Sequence, residues 1–503
     1  MSIPFKISPV EYDPSLLHPD NVFDLLPDDH ECYLYHELFQ VLDTSALEKN
    51  YSHKGQNAYH PKLIVSILIY AYSRGVFSSR EIERRCNEDL SFLYIAQMNC
   101  PNFRVLSDFR KDNADFFHDC FKQTVVLAMA LGLASLGHIS LDGSKFKASS
   151  SKHKAMSYGR LKAKEAKLTQ EIEALIEQAG CCDTEEDHAY KEKTGYELPD
   201  DLKFKQDRLA KIQAAKDALE KREEALNPGK PIEDKKQISF ADKDARIMER
   251  KGGYSYDYNP QISVDKDNQI IVGQHVSQNA NDKKELEPAL EAIKNTTGQL
   301  PEKMSLDNGY LSGDNLEVVQ SSGVDTYIAI HKGEKKNKAA LEGSERKIVK
   351  SDFDYNDSDN SFNCPGGQTL LMISESSGGI RKYQGDSEIC GECPLKDRCC
   401  QSTKGAARTI TTDNKEPLRL LMNQKMEEDD SKEIYKQRKV IVEPVFGQIK
   451  NTGFRGFSVR GKEKVAGEFS LVCATHNLKK IIKAIFKGVI PPKFENLALN
   501  PTI

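Results

Sequence analysis

The segment Gly137-His138-Ile139-Ser140-Leu141-Asp142-Gly143 is a short apolar run that leads directly into an aspartate. It predicts a strand that ends near Asp142, because short apolar runs bounded by turn residues are typical of buried strands. The same pattern recurs in Met304-Ser305-Leu306-Asp307. We therefore expect two strands that each carry a carboxylate at one end.

Further strands and helices are predicted on both sides of this pair. In chain order, the predicted strands are 138–148, 261–264, 269–272, 304–307 and 325–330. The predicted helices are 282–293, 314–320 and one that opens at Asp430 and carries Tyr435 to Lys450. The short link around Asp267-Asn268 favours a hairpin between the second and third strands. Without two inserted segments, the order is strand, strand, strand, helix, strand, helix, strand, helix. This order predicts an α/β core with a mixed sheet.

The remaining segments divide the chain into further units. The predicted units are a helical N-terminal domain (1–133), the first part of the core (134–150 and 251–331), a helical-hairpin insertion (151–250), a β-rich insertion with cysteines (332–415) and the C-terminal part of the core (416–503). The N-terminal helices carry exposed arginines, so we expect either a helix-turn-helix DNA-binding unit or an ordinary helical bundle with a basic surface. The sequence does not decide between them.

The bulk composition is that of a water-soluble globular protein. The 503 residues allow two to four domains, and 38% of them are hydrophobic and 29% charged. There is no run of 18 apolar residues and no secretory signal pattern at the N-terminus, so we expect a cytoplasmic protein without a membrane span.

A third acidic residue, Glu443, lies in Lys439-Val440-Ile441-Val442-Glu443-Pro444. Together with Asp142 and Asp307 it can supply hard oxygen ligands for two Mg²⁺ or Mn²⁺ ions. Such a pair of ions supports the cutting and joining of phosphodiesters. Because Pro444 disfavours helical geometry at the preceding residue, we expect a kink or an irregular turn at Glu443.

Basic residues cluster beside these acids, although the net charge of the chain is −5. No acid interrupts the first basic block, which consists of Lys145, Lys147, Lys152, Lys154, Arg160, Lys162 and Lys164. The second block surrounds Glu443 and consists of Lys436, Arg438, Lys439, Lys450, Arg455, Arg460, Lys462 and Lys464. A charge run alone is usually a solvated surface, but two runs beside the candidate acids favour contact with phosphate.

Several motifs resemble a bacterial insertion-sequence transposase of the DDE class, which has a retroviral-integrase-like (RNase H-like) core. The resemblance rests on four segments of this sequence: Ser140-Leu141-Asp142-Gly143-Ser144-Lys145, Asp307-Asn308-Gly309-Tyr310, Tyr435-x2-Arg438, and Val442-Glu443-Pro444-Val445-Phe446-Gly447-x2-Lys450. The N-terminal segments Ser78–Glu83 and Phe109-Arg110 are also similar to that family.

The resemblance implies roles for particular residues. Asp142, Asp307 and Glu443 would form the catalytic triad, and Tyr435, Arg438 and Lys450 would contact the transposon end. Four residues separate Arg438 from Glu443, whereas related groups have three, so the assignment of Arg438 is weaker than that of Lys450.

The resemblance also implies a reaction and its partners. A water molecule would cleave a phosphodiester at the end of the element, and the freed 3′-hydroxyl would attack target DNA. Double-stranded DNA would be the partner, with a homodimer assembled on two ends. Two alternatives stay open: a nuclease of the same fold that does not transfer strands, and an inactive transposase-derived DNA-binding protein.

A cysteine cluster forms a separate candidate site. Cys390-x2-Cys393-x5-Cys399-Cys400 has the tight first pair of a structural zinc site, and Cys364 lies upstream. The alternative is a cluster of reduced thiols or a redox-sensitive loop. His476, near the C-terminus, is expected to pack within a helix rather than to bind metal.

Overall fold

The computed structural model describes residues 21–49, 51, 58–150, 155–186, 200–250, 252–330, 346–400 and 407–491. Seven helices come first: α1 (Glu31–Val41), α2 (Ser45–Glu48), α3 (Pro61–Ser73), α4 (Ser79–Glu88), α5 (Leu90–Ile95), α6 (Phe103–Asp112) and α7 (Ala114–Ala130). Their boundaries follow local rules, since Pro61 begins α3 and the side chains of Asp89 and Asn102 cap α5 and α6.

A seven-stranded mixed sheet forms the centre of the molecule. Its strands are β1 (His138–Gly143), β2 (Phe146–Lys147), β5 (Arg246–Arg250), β6 (Gly253–Asp265), β7 (Ile271–Ser277), β8 (Lys303–Leu306) and β9 (Asp325–Ile328). β1 pairs antiparallel with β6 and parallel with β8, β6 pairs antiparallel with β7, and β8 pairs parallel with β9. The order across the middle is therefore β7, β6, β1, β8, β9. The predicted α/β class with a mixed sheet is confirmed.

Two long helices and a two-stranded ribbon lie between β2 and β5 in the chain. The ribbon pairs β3 (Ala155–Ser157) with β4 (Gln237–Ser239), and the helices are α8 (Tyr158–Glu186) and α9 (Asp200–Leu226). The two helices pack together around a small apolar core of their own, which includes Leu161, Ile212 and Leu219.

The helices that follow β7 and β8 are α10 (Leu286–Thr297) and α11 (Gly313–Ser322). A five-stranded antiparallel sheet comes next, made of β10 (Asp354–Asn356), β11 (Ser361–Asn363), β12 (Thr369–Glu375), β13 (Ile380–Gln384) and β14 (Thr409–Asp413). The short helices α12 (Ser387–Glu392) and α13 (Lys396–Cys399) join β13 to β14. Phe362, Leu370 and Tyr383 belong to the separate core of this β-rich region.

Four helices complete the described chain: α14 (Glu416–Glu427), α15 (Asp429–Ile441), α16 (Glu443–Asn451) and α17 (Lys462–Phe486). α17 packs along α7, and it also contacts α3 and β7. Its buried side chains join those of the N-terminal helices and the central sheet in one apolar core. This shared core fixes the helices around the sheet. None of the described helices has the length and apolar character needed to cross a lipid bilayer.

Candidate active site

The candidate site lies where two parallel strands end side by side. Ser140 of β1 is in register with Ser305 of β8, and Asp142 and Asp307 each lie two residues further along. Neighbouring strands are about 4.8 Å apart, so the two aspartates leave the sheet at the same edge. The apolar residues that precede them hold the strands in the core, because Ile139, Leu141 and Leu306 are fully buried.

Asp142 is the more buried of the two aspartates. Its side chain is 18% exposed, and burial raises its pKa to about 7. The positive charge of Arg438 and the Gly143 N–H, which donates to Oδ1 at 2.9 Å, oppose that rise in pKa, whereas Asp307 and Asp282 add to it. The raised pKa means that burial and the neighbouring carboxylates disfavour the negative charge of Asp142, which a bound cation would offset.

Asp307 begins a single 3₁₀ turn that covers Asn308–Tyr310. The Gly309 N–H donates to Asp307 Oδ1 at 2.8 Å, which fixes the carboxylate over the end of β8. Tyr310 is fully buried below this turn and anchors it in the core.

Glu443 reaches the same centre from a helix start. α15 ends at Ile441, and α16 begins at Glu443 with Pro444 in its first turn. The break agrees with the irregularity expected at Pro444, since proline is well tolerated at the first helical positions. The Glu443 side chain is half exposed, and its Oε1 lies 3.3 Å from Nη2 of Arg438.

Arg438 contacts both the buried acid Asp142 and the half-exposed acid Glu443. Its side chain is 7% exposed, with Nη1 3.6 Å from Asp142 Oδ2 and Nη2 directed to Glu443. Burial opposes the charge of Arg438, but Asp142, Tyr435 and Asp307 outweigh it and raise the pKa of the guanidinium. Its Nε and Nη1 have no hydrogen-bond partner in this structure. The guanidinium therefore keeps unused donors beside the acidic centre.

Lys450 and Tyr435 lie at the border of the same centre. Lys450 Nζ donates to Ser144 Oγ at 2.6 Å and lies over the ring of Phe146. Burial and nearby arginines lower the pKa of Lys450, while Asp142 raises it. Burial raises the pKa of Tyr435, whereas the positive charge of neighbouring Arg438 lowers it.

The two lysines of the first basic block are more peripheral. Lys145 Nζ donates to the Glu249 carbonyl at 3.1 Å, and Lys147 is exposed on the short strand β2. The described part of that block also contains Lys162, which pairs with Asp234 at 2.9 Å. Lys145 and Lys147 thus remain close in the chain to Asp142, whereas Lys162 lies on the separate hairpin of α8 and α9.

One acidic residue of this centre is absent from the sequence prediction. The prediction begins a helix at Asp282, but α10 begins at Leu286, and Asp282 lies in the turn before it. Asp282 Oδ1 accepts hydrogen bonds from Asn259 at 2.8 Å and from Gln261 at 2.7 Å. The available sequence signal was the largely polar run Gln278–Asp282, which directly follows β7.

The carboxylates are the hard oxygen ligands that Mg²⁺ and Mn²⁺ prefer. As the side chains lie, however, no three His, Cys, Asp or Glu residues in the described ranges stand close enough together to hold a metal ion. In the acidic centre, the guanidinium of Arg438 lies between Asp142 and Glu443.

The cysteines of the β-rich region converge on a second place. Cys364, Cys390, Cys393, Cys399 and Cys400 line one small cavity of about 30 Å³. Burial raises the pKa of Cys399 to about 12, with a further contribution from Cys400. Cys364, predicted only as an upstream neighbour, therefore shares the cavity with the four predicted ligands.

The fold and the site define an α/β protein with an acidic, arginine-bearing centre at the edge of a mixed sheet. A model of the transposase DDE domain matches residues 363–482, and a model of a transposase domain (DUF772) matches residues 20–112. These matches confirm the resemblance to insertion-sequence DDE transposases, a family whose substrate is DNA. Glu443 lies within the first match, whereas Asp142 and Asp307 lie outside both. No curated protein and no solved structure matches the chain.

Proposed function

We propose that this protein is a transposase that cleaves DNA at the ends of its element and transfers the freed strand into target DNA, with Asp142, Asp307 and Glu443 as the catalytic acids. The observation that carries the proposal is the convergence of Asp142 and Asp307 at the ends of β1 and β8, with Arg438 joining Asp142 to Glu443. Among the residue sets predicted from the sequence, this is the one in which acids from distant parts of the chain come together.

The three acids would hold two divalent cations, Mg²⁺ or Mn²⁺. When bound, such ions supply charge neutralisation and an activated attacking oxygen for phosphodiester chemistry. The residues of the chain orient this centre, because the Gly143 and Gly309 N–H groups fix the two aspartates. Glu443, at the exposed start of α16, is free to turn toward the aspartates once Arg438 engages another anion.

The basic side chains around the acids would bind the DNA backbone. Arg438 would contact a phosphate through Nη2, which faces the half-exposed Glu443, and Lys450 adds a positive charge over the rings of Phe146 and Phe446. Tyr435 also lines a cavity of about 780 Å³ between the β-rich region and α14. Lys145 and Lys147 would extend the contact along β2.

The wider architecture supports a catalytic core of the RNase H-like type. We infer this from the strand order β7, β6, β1, β8, β9, in which the first three strands are antiparallel and the last two run parallel to β1. In this proposal α1 to α7 form a DNA-binding N-terminal domain, and the α8–α9 hairpin and the β-rich region are insertions in the core. Two chains would assemble as a homodimer on the two element ends.

The test uses purified full-length protein, Mg²⁺ and a labelled DNA fragment that carries an end of the element. We expect cleavage at the end and transfer of the labelled 3′ strand into a plasmid. Asp142→Asn should abolish both steps while DNA binding persists, because the amide keeps the shape of the carboxylate and removes its charge. Cleavage by this variant at the wild-type rate would overturn the assignment.

The same assay separates the alternative functions. Cleavage without any transfer of the labelled strand would identify a nuclease of this fold. Binding of the DNA end with neither cleavage nor transfer by the wild-type protein would identify a DNA-binding protein derived from a transposase. Only cleavage followed by strand transfer supports the proposed transposase function.

We also propose a structural zinc ion in the cysteine-lined cavity, held by thiolates drawn from Cys390, Cys393, Cys399 and Cys400. Sulfur ligands are the usual donors of structural zinc, and closing such a site requires the side chains to move from their present positions. Elemental analysis of the purified protein should find about one zinc per chain. Protein without zinc that keeps its fold and activity would exclude a structural ion.

A further inference from the structure

We propose that Asp282 is a positioning residue of the acidic centre, whose negative charge strengthens the hold of Asp142 and Asp307 on a divalent cation. The inference rests on the proposed function and adds a fourth acid to the three predicted ones.

One oxygen of Asp282 is fixed by two neutral amides. Asn259 and Gln261 are two residues apart on β6, so their side chains lie on the same face of the sheet. Both donate to Oδ1 of Asp282. These donors hold the carboxylate in place without neutralising its charge.

The orientation of the Gln261 amide is itself determined. The Tyr310 hydroxyl donates to Gln261 Oε1, which leaves the NH₂ group to face Asp282. Gln261 also lies against the end of β1, since a Cβ added at Gly143 would stand 2.2 Å from Gln261 Nε2. The buried Tyr310 follows Asp307 by three residues, and Gly143 follows Asp142 directly. The support of Asp282 is thus built from the neighbours of the two catalytic aspartates.

The other oxygen of Asp282 lies next to Asp307. A Cβ added at Gly309 would stand 2.9 Å from Asp307 Oδ1 and 3.4 Å from Asp282 Oδ2, so both oxygens border the same glycine. Asp282 also acts electrostatically on Asp142. Three carboxylates therefore share one region, and Arg438 contacts only one of them, Asp142. A cation bound by Asp142 and Asp307 would relieve this repulsion.

The negative charge of Asp282 and its ability to accept hydrogen bonds can be tested separately. Asp282→Asn keeps an oxygen that can accept from Asn259 and Gln261, but it removes the negative charge beside Asp307. We expect Mn²⁺ binding to weaken by roughly tenfold or more, the size of effect that one unit charge exerts on a divalent ion a few ångströms away. Asp282→Glu, which restores the charge, should stay within about threefold of the wild type.

The experiment titrates the full-length protein with Mn²⁺ in the absence of DNA and follows free Mn²⁺ by electron paramagnetic resonance. Asp257→Asn is the matched control, because Asp257 is also a buried acid of β6 but pairs with Arg250 away from the strand end. It should bind Mn²⁺ as the wild type does. Near-ultraviolet circular dichroism checks the fold, and Asp282→Ser provides a second neutral variant if asparagine disturbs it.

The Asp142→Asn variant separates the two proposals. If it weakens Mn²⁺ binding while Asp282→Asn does not, the role of Asp282 is refuted and the proposed function stands. If Asp142→Asn leaves Mn²⁺ binding unchanged, both proposals fail. Support requires a further result: cleavage by Asp282→Asn should need more Mn²⁺ for half-maximal rate and approach the wild-type rate at saturation.

Discussion

Arg438 places a buried positive charge between an interior carboxylate and an exposed one. Its contact with Asp142 matters only while that acid is ionised, and burial raises the pKa of Asp142 to about 7. At pH 8 the pair is charged on both sides, whereas at pH 5 the carboxyl group is protonated in the folded protein. The contribution of Arg438 to stability therefore depends on pH.

Arg438→Ala should lower the free energy of unfolding by roughly 1–3 kcal/mol at pH 8, because Asp142 loses the guanidinium that favours its charged form and must stay charged unpaired or take up a proton. The loss should be clearly smaller at pH 5, where Asp142 carries a proton. Urea unfolding of the metal-free protein at both pH values measures this difference. Arg438→Lys, which keeps the charge, is the control, and an equal loss at the two pH values would contradict the coupling.

His476 gives a second pH dependence, which comes from a buried neutral imidazole. Its imidazole is buried in α17 with Nε2 2.9 Å from the Gln269 carbonyl, and burial lowers its pKa to about 4. The expectation that it packs within a helix is confirmed. An unfolded histidine titrates near pH 6.5. Between pH 6.5 and 4 the unfolded chain therefore binds a proton that the folded protein does not bind.

His476 should therefore remove about 3 kcal/mol of stability as the pH falls from 6.5 to 4, and none above 6.5. His476→Gln keeps an N–H donor for the Gln269 carbonyl and cannot titrate. The difference in unfolding free energy between wild type and variant, measured across this pH range, isolates the effect from the carboxylates common to both. Parallel curves would show that His476 does not titrate in this way.

At the scale of elements, the strand ends were the predictable part of the site. Asp142 and Asp307 each follow a local apolar run, which is a signal carried by consecutive residues. Asp282 was misplaced at a helix start because a polar residue before an apolar periodic segment looks like the first turn. Its true partners, Asn259 and Gln261, lie on a strand more than twenty residues away in the chain, and no local pattern reports that contact.

The packing of α7 against α17 supports the central sheet, and Gly467 of α17 allows the two helices to approach closely. A Cβ at Gly467 would stand 2.6 Å from Ala114 Cα and 2.7 Å from its Cβ. Gly467→Ala should therefore force the helices apart and lower the unfolding free energy by about 1–3 kcal/mol. Thermal and urea unfolding of the purified variant measure this cost.

Gly447→Ala is the matched control, since Gly447 also lies within a helix but a Cβ there would meet nothing within 4 Å. Alanine is the better helix former, so this variant should be neutral or more stable by about 0.5–1 kcal/mol. A Gly467→Ala protein as stable as Gly447→Ala would mean that the two helices adjust without strain.

For the whole molecule, the sequence predicted the order of core elements but not how distant parts meet. The two long helices and their ribbon separate β2 from β5 by about a hundred residues of chain, yet β2 and β5 both pair with β6. Contacts of this kind depend on the collective packing of the core. The bridge from Asp142 through Arg438 to Glu443 is another example, because it spans some three hundred residues.

The whole-molecule charge leads to a prediction about DNA. The chain has a net charge of −5, so its affinity for DNA must come from local basic residues. Contact with about six phosphates predicts that log affinity falls with log salt concentration with a slope of roughly −5.

The double substitution Lys145→Gln and Lys147→Gln should reduce the magnitude of the salt slope by about 2, because each lysine would neutralise one phosphate. Lys211→Gln with Lys221→Gln, two exposed lysines on α9, is the control and should leave the slope unchanged. Fluorescence anisotropy with a labelled element end at several salt concentrations measures it, and an unaltered slope in the Lys145 and Lys147 variant would remove both residues from the DNA contact.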